Sequence, residues 1–206
     1  MTLLSGCASL PNSAVDKVGD RNVEFAMTRH GTLPVIFENG LGGRMEWWKK
    51  VLPAISNDTT TFAYNRPGYG NSDLVATPRD GLHIVDELRA LLRTKGLKPP
   101  YVLVGHSMGG FGSWSIAMNH PGIFAAIGPV AGGGNPAQMD RIRHIPQIVV
   151  HGDNDRTVDV SQSRNMVEAA KKLGVHVKYI EVPGGGHNEV FMPAMPQVFE
   201  FFAAHP

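Results

Sequence analysis

Short, uniformly apolar runs alternate along this chain with longer stretches in which apolar residues recur every three or four positions. The runs are "VEFAMTRHG", "LPVIFENG", "TTTFAYNRPGYG", "YVLVGHSMGG", "FAAIGPVAGGG", "IPQIVVHGD" and "VHVKYIEVPGGG". Runs this short, bounded by glycine or proline, predict strands buried on both faces. Between them "RMEWWKKVLPAI" predicts a short helix. "RDGLHIVDELRALLRTKG" sets Leu82, Val85, Leu88, Leu91 and Leu92 at helical spacing, with Gly96 as its terminator. Further helices are expected from about Met108 to Asn119 and over Ser161–Leu173 and Glu189–Ala204. Strand–helix alternation of this kind implies an α/β architecture, a doubly wound and mostly parallel sheet flanked by helices, as one domain over residues 21–206. In such sheets ligands bind beyond the carboxyl ends of the strands.

Composition narrows the function classes. Of 206 residues, 42% are apolar and the net charge is +1 with no run of like charges, so neither nucleic acid nor an anionic surface is suggested as a partner. Cys7 is the only cysteine, and the nine histidines show no metal-ligand spacing, so no disulfide, metal or other cofactor is expected. No apolar stretch is long enough to span a membrane. Residues 1–20 read as a polar leader outside the fold. Within it Leu4-Ser5-Gly6-Cys7 resembles the lipobox of bacterial lipoproteins, which would put a lipid anchor on Cys7 and the chain at the cell envelope. Only six uncharged residues precede Cys7, so an incidental cysteine and a cytoplasmic chain are the other reading.

Candidate chemistry centres on "GHSMG". Gly105 and Gly109 flank Ser107 between a predicted strand and a predicted helix, where a serine would project from a tight, strained turn. The alternative role for Ser107 is a plain helix N-cap. A serine hydroxyl is a weak nucleophile and needs a base with an orienting acid. Downstream, "HGDNDRTVD" ends one strand with Asp153, Asp155 and Asp159, and "GGGH" ends the last strand with His187. A rival reading of "NGLGGRM" as a dinucleotide-binding loop fails, because Met45 replaces the third glycine and the next strand ends in Asn65-Arg66 rather than an acid.

With "NGLGG", "NRPGYGNSD", "GHSMGG", "HGDNDRTV" and "GGGH" in this order, the chain from about Val23 onward resembles the α/β-hydrolases. The resemblance implies a serine hydrolase with Ser107 as nucleophile, His187 as base and Asp155 as acid, Asp153 being the runner-up. It places the oxyanion hole at the backbone N–H groups of Leu41 and Met108, with Asn39 standing where the family usually has histidine. His106 and His151 read as packing histidines. Only about a dozen residues separate the strands between which many relatives insert a lid, so an open, lidless site is expected. Leu41, Trp47, Met108, Val158, Val190 and Met192 are the candidate pocket residues, suited to small or medium neutral esters. Arg44 and Arg66 near the mouth could meet an acidic substrate or pair with carboxylates. Thioesterase, lactonase, peptidase and perhydrolase variants are not separated by the sequence, and a non-catalytic binding or scaffold protein on the same fold is the alternative of a different class.

Overall fold

The computed structural model describes residues 10–205. Eight strands form one sheet: β1 (Ser13–Val18), β2 (Arg21–Thr28), β3 (Val35–Glu38), β4 (Thr61–Tyr64), β5 (Tyr101–His106), β6 (Phe124–Val130), β7 (Gln147–Gly152) and β8 (Val177–Val182). Their spatial order is β1-β2-β4-β3-β5-β6-β7-β8. From β4 across to β8 every pairing is parallel, and β2 is antiparallel to both β1 and β4. Five α-helices accompany them: α1 (Leu52–Ile55), α2 (Gly81–Thr94), α3 (Met108–Asn119), α4 (Ser161–Lys172) and α5 (Phe191–Ala203). The predicted helix at "RMEWWKKVLPAI" is a 3₁₀ turn, Met45–Lys50, running into the single turn of α1.

The period-two alternation of strand side chains divides the core. On β5, Tyr101 and Leu103 pack with α2, α3 and α4, whereas Val102 and Val104 pack with α5 and the 3₁₀ turn. All six residues of β5 are buried, as a central parallel strand covered on both faces requires. Helix α2 starts on Asp80, whose side chain accepts from His83 N–H, and closes at Gly96 (φ +65°), after which Leu97 N–H reaches back to Leu92 O. Val85, Leu88, Leu91 and Leu92 face the sheet, but Leu82 in the first turn points to solvent.

Residues 10–20 correct the expectation of a leader outside the fold. Leu10 is buried, and β1 pairs with β2 from Ser13↔Ala26 to Val18↔Arg21. The hairpin turn uses Gly19 at φ +67°, a glycine-first signal for a two-residue connection. Asp16 and Lys17 keep this edge polar, and Asp16 pairs with Lys95 beyond α2. Cys7 and the lipobox-like segment lie outside the described residues. Within them, no helix is long and apolar enough to cross a membrane.

Between β6 and β7 the chain forms only a 3₁₀ turn, Pro136–Ile142, pinned down by the buried side chains of Met139 and Ile142. Nothing there covers the carboxyl ends of the strands.

Candidate active site

Ser107 sits between β5 and α3 at φ 58°, ψ −120°, a backbone conformation that non-glycine residues rarely adopt. Its N–H donates to Val130 O at 2.9 Å, which fixes the turn against β6. Its side chain makes no capping bond to α3, so the N-cap role is not the one it takes. A Cβ on Gly105 would lie 2.0 Å from Gly109 O, and one on Gly109 would lie 2.2 Å from Glu38 O. Both contacts are with backbone, so strand, helix and oxyanion loop approach as closely as they do only because these positions lack side chains.

His187 and Asp155 arrive from the ends of β8 and β7. Ser107 Oγ lies 2.9 Å from His187 Nε2, and His187 Nδ1 lies 2.7 Å from Asp155 Oδ2. A carboxylate only accepts, so Nδ1 carries the imidazole proton and Nε2 is free to accept from the serine hydroxyl. The acid and histidine loops touch through glycine, since a Cβ on Gly152 would fall 2.0 Å from Gly185 O. Asp153, the runner-up acid, is exposed and accepts instead from Gly184 N–H at 2.6 Å, bracing the histidine loop.

Three donors hold the buried Asp155 carboxylate. Oδ1 accepts from the N–H groups of Thr157 (2.8 Å) and Val158 (2.9 Å). Oδ2 accepts from His187 Nδ1, and His151 Nε2 stands 3.2 Å from the same oxygen. Burial pushes this carboxyl up, but the bond from His187 and the two backbone N–H groups prevail and hold it below its ordinary value. His151 is fully buried. Its Nε2 faces only acceptors, Asp155 Oδ2 and Val158 O (2.9 Å), so that nitrogen bears a proton, while Nδ1 meets Ser163 Oγ at 2.7 Å. The sequence identified His151 only as a packing histidine. Its position before the His-Gly-x-x-Asp turn is the signal that links it to the acid.

His106 is a second tie. Its Nε2 donates to the His187 carbonyl at 2.9 Å, and the two rings lie 4.9 Å apart. Burial holds His106 below the ordinary histidine range, against the pull of that carbonyl, which keeps it neutral.

The loop after β3, where the sequence expects the oxyanion hole, abuts the serine: a Cβ on Gly40 would lie 3.2 Å from Ser107 Cβ. Neither Leu41 N–H nor Met108 N–H has a hydrogen-bond partner among the described residues, as expected of donors reserved for a ligand. Asn39 uses its side chain for support. It donates to Tyr64 O at 2.9 Å and accepts from the Trp48 indole at 2.6 Å, so it supports the loop from beneath. Arg66 is buried and donates to Glu38 Oε1 and Asn39 O, each at 3.0 Å, and to Gly40 O. It therefore serves the loop rather than the mouth. Burial pushes the Glu38 carboxyl up, opposed by Arg66 and by the Tyr64 hydroxyl.

A groove of about 640 Å³ opens beside Ser107, running from Gly40 and His106 between the 3₁₀ turn and the start of α5. Trp47 and Met192 line it as the sequence suggests, and Trp48 and Phe191 add to its wall. Leu41 is 76% exposed at the edge. Val190 corrects its assignment: it is fully buried beneath Gly152 and Gly185. Val158 likewise stands beside Asp155, outside the groove, because the acid's own turn holds its N–H.

Residues 34–132 match the α/β hydrolase fold family. The chain is also similar to the uncharacterized protein YqjL of Bacillus subtilis, 35% identical over 88 residues, which are 42% of this chain and 35% of that one. It is 29% identical over 122 residues to the human (lyso)-N-acylphosphatidylethanolamine lipase, covering 57% of this chain and 34% of the lipase. Among solved structures, the enol-lactonase of Burkholderia xenovorans superposes with a TM-score of 0.76 at 15% identity, covering 92% of this chain and all of that one (100%). The chain has the α/β-hydrolase fold. The aligned segments span about a third of those two curated relatives' length. The family match includes Ser107 but ends before Asp155 and His187, so the grouping of those two with Ser107 rests on the geometry above.

Proposed function

We propose that this α/β-hydrolase is a serine hydrolase that transfers the acyl group of a carboxylic ester to water through an acyl-enzyme. The observation that carries the reading is the unbroken relay from Ser107 Oγ through His187 to the buried Asp155 carboxylate, at 2.9 and 2.7 Å. The Ser107 hydroxyl attacks the ester carbonyl as His187 Nε2 takes its proton, and the oxygen gains its charge against the N–H groups of Leu41 and Met108. His187 then protonates the departing alcohol, leaving an acyl group on Oγ. Water, deprotonated by the same nitrogen, adds to that carbonyl, and collapse releases the acid and restores the serine. Asp155 holds the imidazole in register and stabilises its cation, while staying ionised because its three donors favour the charged form. The activity named for the lipase relative, like that of the lactonase of similar fold, is an acyl transfer of this kind.

The test is labelling by a fluorophosphonate together with hydrolysis of p-nitrophenyl esters from acetate to laurate. A labelled serine identified as Ser107, with turnover on at least part of the series, is the expected result. A wild-type chain that neither labels nor turns over leaves the binding-protein reading in its place.

His151 gives the reading a second check. Its ring stands under the acid's turn, with Nε2 3.2 Å from Asp155 Oδ2 and 2.9 Å from Val158 O. His151→Phe removes both contacts and is expected to lower kcat several-fold with KM little changed, whereas His151→Gln, which keeps an N–H in reach, should recover part of the loss.

A further inference from the structure

Two kinds of surface meet in the groove beside Ser107. Trp47, 55% exposed, and Met192 give it apolar walls, and Arg44, Lys49 and Lys50 line it with positive charge. Glu46 is its only carboxylate. Some cations elsewhere in the chain are paired, such as Arg66 with Glu38 and Arg164 with Glu181. Among the described residues, none of the three groove cations makes an ion pair. Arg44 contributes to holding Glu24 below its ordinary range, yet the Glu24 oxygens are already taken by Asn65 and Asn71. Glu46 stands at the i−3 and i−4 positions from Lys49 and Lys50 without engaging either, and its buried Oε2 has no partner. The groove is thus apolar in its walls and in excess of positive charge, and it is bounded by Gly40 and His106, which adjoin Ser107.

We infer that the groove selects esters whose bound half carries an anionic group, a carboxylate or a phosphate, on an apolar tail. The inference rests on the hydrolase reading above and departs from the sequence expectation of a neutral ester. Charges at the rim of a concave apolar site are screened less than on open surface, because water and salt enter from one side only. An anionic tail completes the three cations, whereas a neutral tail leaves them unpaired and a cationic one is repelled.

Two matched pairs of esters test this. One compares p-nitrophenyl octanoate with p-nitrophenyl hydrogen suberate, which ends the same acyl chain in a carboxylate. The other compares phenyl octanoate with p-carboxyphenyl octanoate, which moves the anion to the alcohol side. The readout is the ratio of kcat/KM for the anionic over the neutral ester, in which any general effect of a substitution on folding or on acyl transfer cancels. In at least one pair the ratio should exceed unity and fall several-fold as ionic strength rises from about 0.02 to 0.5 M. The double variant Lys49→Glu, Lys50→Glu should cut it by about tenfold, roughly threefold per charge, and Glu46→Gln should raise it by about threefold. The pair that responds shows which half of the ester lies in the groove. Ratios near unity in both pairs, or ratios indifferent to the lysine substitutions, overturn the anion preference while leaving the hydrolase standing. Absence of turnover on all four esters, together with absence of fluorophosphonate labelling, overturns both.

Discussion

Replacing Ser107 with alanine is expected to lower ester turnover by ~10⁴- to 10⁶-fold and to leave the chain folded. Alanine keeps the Cβ and the N–H bond to Val130 O, so the elbow is built as before but without its hydroxyl. The residual rate comes from binding and from the oxyanion donors, which the substitution does not touch. His187→Ala should cost about as much, and the double variant little more than either, because the two groups act as one unit. Turnover that survives in Ser107→Ala would place the chemistry elsewhere. Stability offers an independent reading of the same turn. Ser107→Gly should raise the melting temperature, since relief of φ 58° returns about 1 kcal/mol, while fluorophosphonate labelling is lost.

Gly105→Ala is expected to be among the most damaging glycine-to-alanine changes in this protein. The new Cβ would stand 2.0 Å from Gly109 O, 2.3 Å from Gly109 C and 2.6 Å from Ser113 Oγ. Two of those three atoms are backbone at the start of α3, and they cannot yield unless the helix moves off the sheet and takes Ser107 with it. A cost of about 3–5 kcal/mol follows, beyond ordinary overpacking. For a chain of this size that is a fall in melting temperature of about 10 °C, or failure to accumulate in soluble form. Gly122→Ala is the control: nothing lies within 4 Å of its added Cβ, and its melting temperature should stay close to that of the parent. Parity between the two variants would mean that the elbow is not closely packed.

The parts of the fold legible in the sequence were those written locally. Apolar strands buried on both faces, such as Tyr101–His106, need no knowledge of their neighbours to be recognised, and neither do the glycines that let Ser107 stand at a helix start. β1 was missed because four of its six residues are exposed and its pairing is with the following strand, leaving no apolar run to read. Trp47 and Trp48 were indistinguishable in sequence; the 3₁₀ turn sends the first to the groove and the second to the core, where its indole holds Asn39. Of the cationic lining the sequence offered only Arg44, without Lys49 and Lys50. The lining is assembled only when the sheet order brings residues 39–50 beside residues 188–192. His151 was legible as a residue but not as a contact, since its partner is presented by the turn that follows it.

The relay and the groove occupy different pieces of chain. Ser107, Asp155 and His187 stand on strand ends locked together by backbone contacts through Gly105, Gly109 and Gly152, whereas Lys49, Lys50, Trp47 and Met192 belong to a 3₁₀ turn and the first turn of α5. Selectivity can therefore drift, or be redesigned, by exchanging those four side chains while the reactive groups keep their positions. Trp48 is the boundary of that freedom: its indole N–H reaches into the support of the oxyanion loop, so a library that includes it alters the catalyst along with its diet.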